Sequence, residues 1–179
     1  MNKAIFIDKD GTLIHDVPYN VDPALIKFED HAFESLYMLQ QKGYYLVVVS
    51  NQPGISKGYF KEEDLKVVEE KIKKSLFENK VMLQGFYYCP HAEEEHCNCR
   101  KPKPGLIFNA ARDLEIDLSR SWMIGDILND VEAGKRSNCK TILIDNGNET
   151  EWIWEKQRVP HYLANDLKAA AEIILHNPS

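Results

Sequence analysis

Two runs, Ala4-Ile5-Phe6-Ile7 and Tyr44-Tyr45-Leu46-Val47-Val48-Val49, are apolar or β-favouring at every position. A strand with one wet face alternates polar and apolar residues, whereas a strand covered on both faces does not. Helical stretches separate such runs. Residues 28–42 carry Phe33, Leu36, Tyr37 and Leu39 at near-helical spacing and stop at Gly43, which suits the left-handed position after a helix. Residues 61–79 set Leu65, Val68, Ile72 and Leu76 on one stripe among Lys and Glu, the pattern of a surface helix. Leu83 to Tyr88 reads as a third strand. Pro104-Gly105 opens a helix whose inner side is Leu106, Ile107, Ala110, Ala111 and Leu114. Ser121 to Ile124 and Lys140 to Ile144 read as strands four and five, with a helix over about 129–137 between them. Residues 146–160 read as irregular, and 166–175 close the chain with Leu167, Ala170, Ala171 and Ile174 facing inward. Strand and helix in this rhythm predict an α/β fold with a mostly parallel sheet covered on both faces. A chain of 179 residues, 44% of them hydrophobic, suits a single domain over 1–179 and can bury a core without disulfides.

The formal net charge of −6 argues against sequence-blind nucleic-acid binding, which needs a basic face. It leaves room for an anionic substrate, because a divalent cation and a few local Lys and Arg residues can reverse the potential within one cleft. Met1-Asn2-Lys3 leads directly into a four-residue apolar run, so no signal peptide is read here. No apolar stretch approaches the roughly 20 residues that span a bilayer. The expectation is a cytoplasmic monomer with no membrane partner.

Sheets of this kind bind ligands at the carboxyl ends of their strands. Polar residues collect there: Asp8-Lys9-Asp10-Gly11-Thr12 after the first strand, Ser50-Asn51-Gln52 after the second, Gly125-Asp126 with Asp130 after the fourth. Asp8 and Asp10 are two apart, so in extended chain their side chains share a direction. Two carboxylates in one small space call for a cation between them or a retained proton. Mg²⁺ held by carboxylates and a substrate phosphate meets the first need, and leaves one carboxylate to attack phosphorus and the other to carry a proton. A calcium loop is the competing pattern, but its sixth and twelfth positions would be Leu13 and Tyr19 rather than Gly and Glu. Asp126 can complete a metal shell or cap the next helix. Asp130 can be a ligand, support the metal from behind, or place charge at a helix start. Ser50 with Asn51 can hold a phosphoryl group or cap a turn. Arg100, Lys101 and Lys103 offer the fixed cations that phosphoryl transfer requires.

Three of the four cysteines lie close together. Cys89, His91, Cys97 and Cys99 form Cys-x-His, five residues, then Cys-x-Cys, which suits a closed tetrahedral Zn²⁺ site with a structural role. His96 competes with His91 as the fourth ligand. Such a staple would fix Arg100 and Lys101. Cys139 reads as a small buried residue. His15 and Lys57 are further candidates to face a substrate.

Asp8-Lys9-Asp10-Gly11-Thr12, Ser50, the basic residue at 101, and Gly125-Asp126 with Asp130 together resemble the four signature motifs of the haloacid dehalogenase (HAD) superfamily. The run Ser50 to Phe60, followed by Cys89-Pro90-His91 and Cys97 to Gly105, is similar to the D-glycero-D-manno-heptose-1,7-bisphosphate 7-phosphatases and to the related histidinol-phosphate phosphatases. The resemblance implies a five-stranded sheet of order 3-2-1-4-5 with minimal or no cap domain. It implies a Mg²⁺-dependent phosphatase that removes the 7-phosphate through an aspartyl-phosphate, in nucleotide-activated heptose biosynthesis for lipopolysaccharide or another surface glycan. Asp8 is then the nucleophile, Asp10 the acid and base whose backbone carbonyl also meets Mg²⁺, and Asp126 a Mg²⁺ ligand. Ser50 holds the phosphoryl group, Lys101 neutralises it, and Arg100 meets the distal phosphate of the phosphorylated sugar. Ile127 and Pro53 depart from that pattern, where relatives often have Lys and Ser. A histidinol-phosphate or other sugar-phosphate phosphatase remains the alternative, and a non-catalytic zinc-stapled binding module a remote one.

Overall fold

A computed structural model describes residues 1–177, so the single unit expected over 1–179 extends past the described residues. One sheet runs through the molecule. Its strands are β1 (Lys3–Ile7), β2 (Tyr44–Asn51), β3 (Gly85–Cys89), β4 (Trp122–Gly125), β5 (Lys140–Ile144) and β6 (Tyr162–Ala164). All neighbours pair in parallel, in the order β3-β2-β1-β4-β5-β6. The expected order 3-2-1-4-5 is present, but the five-strand expectation is corrected to six. Only three residues long and half covered, β6 adds to the β5 edge, and so short a strand leaves no periodic signal.

Among the described residues, five α-helices cover the sheet: α1 (Ala32–Gln41), α2 (Glu62–Glu78), α3 (Gly105–Asp113), α4 (Leu128–Arg136) and α5 (Leu167–His176). The unbroken apolar strands have a simple cause. In β1, Ile5 and Ile7 enter a core shared with α1, α2 and α5, while Ala4 and Phe6 enter a second core beneath α3 and α4. Leu46 and Val48 against Val47 and Val49 divide β2 in the same way. The stripe Leu65, Val68, Ile72 and Leu76 is fully buried, as its spacing predicts.

Two boundaries differ from expectation. The first helix starts at Ala32 rather than near 28, because Phe28 pairs instead with Ile14 in an antiparallel bridge. Pro104 occupies the N-cap of α3 rather than its first turn.

Register sets the site. Ile7 pairs with Val48 on one side and Ile124 on the other, and the Asp8 N–H continues the ladder to the Ile124 carbonyl at 3.0 Å. Asn51 pairs with Cys89. The carboxyl ends of β3, β2, β1 and β4 therefore share one edge.

Candidate active site

Along that edge lies a cavity of about 280 Å³ lined by Asp8, Asp10, Ser50, Asn51, Lys101 and Asp126. Asp16, Ile127 and Asn148 complete its wall. Six residues separated by up to 118 positions in sequence meet there because four strands end together.

Lys101 is the hub. Its side chain is buried, and its ammonium donates to Asp8 Oδ1 at 2.5 Å, Asp130 Oδ1 at 2.6 Å and the Val49 carbonyl at 2.9 Å. An ammonium has three donors, so all are used. Burial by itself pulls the Lys101 pKa down, but the Asp130 and Asp8 carboxylates outweigh it and raise it above its ordinary value. Lys101 is held in turn by its own backbone. Its N–H donates to Asn51 Oδ1 at 2.9 Å, and its carbonyl accepts from Asn51 Nδ2 at 3.0 Å.

One carboxylate oxygen each from Asp8, Asp126 and Asp130 lie within 4.8 Å of one another. If all were ionised, three carboxylates would outnumber the one ammonium by two charges in a buried place. Burial pushes the Asp8 carboxyl well above its usual range, with Lys101 opposing and the Asp130, Asp126 and Asp10 charges adding to the rise. Burial and Asp130 raise Asp126 to about 6, against hydrogen bonds from Asn148 and Thr12. Carboxylates crowded this way fit a hard divalent cation, which takes oxygen ligands and cancels a charge of that size. Asp10 stands apart from the three. Its carboxylate accepts from Lys9 Nζ at 2.6 Å and Gln52 Nε2 at 3.0 Å.

Local structure explains these positions. Gly11 has φ +79°, and a Cβ there would fall 2.2 Å from Asp126 Oδ2, so only glycine admits both the turn and the carboxylate. The N-cap of α4 is Ile127, not Asp126, which leaves Asp126 free to face the cavity. Asp130 takes two of the roles open to it. Its Oδ2 accepts from the Ile127 N–H at 3.3 Å at the helix start, while Oδ1 holds Lys101.

Three contributors carried no signal, and a fourth, Thr12, lay in a motif without an assigned role. Asn148 Nδ2 donates to Asp126 Oδ2 at 2.7 Å, and Asn146 Nδ2 to the Gly11 carbonyl at 2.7 Å, both from the stretch read as irregular. Glu149 Oε2 accepts from the Leu128 N–H at 2.6 Å. Thr12, inside the first motif, donates its hydroxyl to Asp126 Oδ1 at 3.2 Å.

The candidate substrate contacts divide. Asn51 lines the cavity, but its amide is engaged by the Lys101 backbone. Arg100 lines an adjoining cavity of about 330 Å³ beside Lys103 and Arg136. The structure brings neither His15 nor Lys57 to the carboxylate cavity. His15 lies 3.6 Å from Glu29, and the exposed Lys57 donates to the Tyr19 hydroxyl at 3.1 Å.

Next to the site, the Sγ atoms of Cys89, Cys97 and Cys99 lie 3.2–3.6 Å apart. His91 Nδ1 lies 3.5 Å from Cys89 Sγ and 3.3 Å from Cys99 Sγ. These are close to the edges of a tetrahedron around one metal ion, and the fourth corner is His91 rather than His96. Burial pushes the Cys89 thiol up. Burial also opposes ionisation of Cys97, yet the Arg100 N–H and the neighbouring cysteines bring it down to about 7. This cluster is sewn to the cavity: the Gln52 N–H donates to the Cys89 carbonyl at 2.7 Å, and the Ser56 hydroxyl donates to Glu95 Oε2 at 2.5 Å.

Comparison with known proteins agrees with this geometry. A HAD-hydrolase-like family model matches residues 98–170. The chain is 43% identical to the D-glycero-beta-D-manno-heptose-1,7-bisphosphate 7-phosphatase of Pasteurella multocida over 164 residues, 88% of this chain and 89% of that one. It is also 43% identical to the Haemophilus influenzae protein of the same name, over 82% and 84% of the two chains. Among solved structures, the D,D-heptose 1,7-bisphosphate phosphatase of B. bronchiseptica, complexed with magnesium and phosphate, superposes with a TM-score of 0.83. It is 26% identical and covers 98% of this chain and 99% of that one.

Proposed function

Since the chain belongs to the D-glycero-D-manno-heptose-1,7-bisphosphate 7-phosphatase family of HAD-type phosphoric monoester hydrolases, we propose that it removes the 7-phosphate of the β-heptose 1,7-bisphosphate through an aspartyl-phosphate. That step belongs to nucleotide-activated heptose biosynthesis. The observation that carries the reading is the gathering of the Asp8, Asp126 and Asp130 carboxylates at the cavity that Asp8 and Asp126 line, with the buried Lys101 paired to Asp8 and Asp130.

Asp8 attacks phosphorus in line, and the bond from phosphorus to the sugar oxygen breaks. The departing oxygen takes a proton from Asp10, which carries its carboxyl outside the Asp8–Asp126–Asp130 group. Water then attacks the aspartyl-phosphate, Asp10 accepts its proton, and inorganic phosphate leaves with the Asp8 carboxylate restored. Ser50 donates its hydroxyl to a phosphoryl oxygen. Lys101, already fixed in three directions, lies against charge that develops on the phosphoryl group. Asp8, Asp126 and the Asp10 carbonyl, supported by Asp130, would hold Mg²⁺, which would supply charge neutralisation and help align the phosphate.

The cysteine cluster takes Zn²⁺ in a closed structural site. Cysteines placed to hold a metal rather than to form a disulfide suit a reducing compartment such as the cytoplasm. The charge of −6 supports a small-molecule substrate over nucleic acid. Arg100, with Lys103 and Arg136, borders the adjoining cavity and meets the distal phosphate.

Initial rates on the β-heptose 1,7-bisphosphate and on histidinol phosphate test the reading, with ³¹P NMR locating the phosphate that remains. The bisphosphate should be preferred and the 1-phosphate left behind. Preference for histidinol phosphate would overturn the substrate assignment.

A further inference from the structure

We propose that Lys9 and Gln52 are positioning residues for the Asp10 carboxyl, and that Gln52 also turns the Ser50 hydroxyl toward the phosphoryl group. The proposal rests on the phosphatase reading above.

Lys9 is only 2% exposed. A lysine taken out of water needs a compensating charge. Among the described residues its one ion pair is with Asp10, Nζ to Oδ1 at 2.6 Å. Its backbone is fixed as well, because its carbonyl accepts from the Leu13 and Ile14 N–H groups at 3.1 and 3.0 Å. The ammonium therefore reaches Asp10 from a rigid turn.

Gln52 is 5% exposed and anchored to the end of β3 through its own N–H. Its amide nitrogen donates to Asp10 Oδ2 at 3.0 Å and to Ser50 Oγ at 2.8 Å. The amide cannot be turned over, since its oxygen would then face the carboxylate. Both donors of the nitrogen are used, one on each group.

Two consequences follow for the reaction. Each Asp10 oxygen has its own partner, so the carboxyl is held in one orientation and kept out of the Asp8–Asp126–Asp130 group. The Ser50 oxygen accepts from Gln52, so its own proton is free to point into the cavity that Ser50 lines. Neither Lys9 nor Gln52 lines that cavity. They act on the substrate only through Asp10 and Ser50.

Leaving-group dependence tests this. An alkyl phosphate such as the sugar phosphate needs a proton from Asp10 as its P–O bond breaks. The p-nitrophenyl ester departs as a stable phenolate and needs none. Rapid mixing of Mg²⁺-loaded enzyme with each ester reads the first-turnover release of alcohol or phenolate. Lys9→Met should slow alkyl release by roughly 10–10²-fold while aryl release and KM stay within about threefold. Lys9→Arg should restore the alkyl rate. Gln52→Leu should show the same selectivity, reduced by the loss of the Ser50 contact on both esters, and it carries the test if Lys9→Met does not fold. Equal losses on the two esters in folded variants, or no loss on the alkyl ester, would overturn the proposal. Absence of Asp8-dependent release from either ester by the wild type would instead remove the phosphatase reading, and this assignment with it.

Discussion

Asn51 and Lys101 grip one another through two reciprocal hydrogen bonds, side-chain amide to backbone, at 2.9 and 3.0 Å. The central cation is thus set from outside the charge cluster. Asn51→Leu leaves the Lys101 N–H and carbonyl without these partners, at a cost of about 1–3 kcal/mol. Turnover should fall further than stability alone explains, because Lys101 loses its aim. Thermal melting and kcat on one preparation check this, and unchanged kcat would contradict the clamp.

Asp8→Asn should abolish turnover and leave the fold intact. Lys101 keeps Asp130, and one of three crowded carboxylates is gone. Without Mg²⁺, the variant should therefore melt at or above the wild-type temperature. Mass spectrometry after incubation with substrate should find no phosphoenzyme. A phosphorylated Asp8→Asn protein would assign the nucleophile elsewhere.

Magnesium stabilisation should depend on pH in one direction. The Asp126 carboxyl, raised to about 6 from 3.8, binds more protons folded than unfolded between those values. In chelator, its contribution to stability falls as pH rises through that window, and the repulsion is complete above about 6. Mg²⁺ relieves that repulsion, so its effect on Tm should be larger at pH 7.5 than at pH 5. At a Mg²⁺ concentration of 100 Kd the rise near neutrality should be about 5–10 °C. Melts with and without Mg²⁺ at both pH values decide it, and a shift independent of pH would count against the carboxylate cluster as the binding site.

Removing metal from the cysteine cluster should reach the cavity. The cluster ends at Cys99, two residues before Lys101, and is stitched to Gln52 and Ser56. A zinc-selective chelator should release one Zn²⁺ per chain, lower Tm and reduce kcat in the presence of saturating Mg²⁺. Cys97→Ser should do the same. Bound zinc lost with full retention of activity would separate the staple from the chemistry.

Gly11→Ala should weaken Mg²⁺ binding more than Gly58→Ala. Both glycines have positive φ, +79° and +71°, so both substitutions strain the backbone. Only at Gly11 would the new Cβ strike Asp126; at Gly58 it meets nothing within 4 Å. Calorimetric titration with Mg²⁺ compares the two, and equal affinities would refute the steric argument.

Much of this was legible before the fold because the relevant signals are local. Asp8 and Asp10 sit just past an apolar strand, and the clustered Cys and His residues of one loop lie near one another in sequence. The parallel sheet followed from unbroken apolar runs. What escaped were groups whose role is set by tertiary approach. Asn146 and Asn148 are amides in a loop with no periodicity to show where they point, and Gln52, though placed at a strand end, gave no sign of its partners. Lys9 reads as a charge between two charges, and only its burial shows that it serves Asp10. His15 and Lys57, expected to face a substrate, lie outside the carboxylate cavity, and sequence alone does not say where a loop side chain points.

Lys101 is held on three sides before any substrate arrives, so the phosphoryl group meets a cation whose water has already been stripped and whose direction is settled. Little rearrangement is left for the moment of bond breaking. The same arrangement keeps the resting protein under internal stress, since carboxylates gathered for catalysis repel one another until an ion joins them. Engineering this chain for heat resistance by neutralising those residues would succeed as thermodynamics and fail as enzymology.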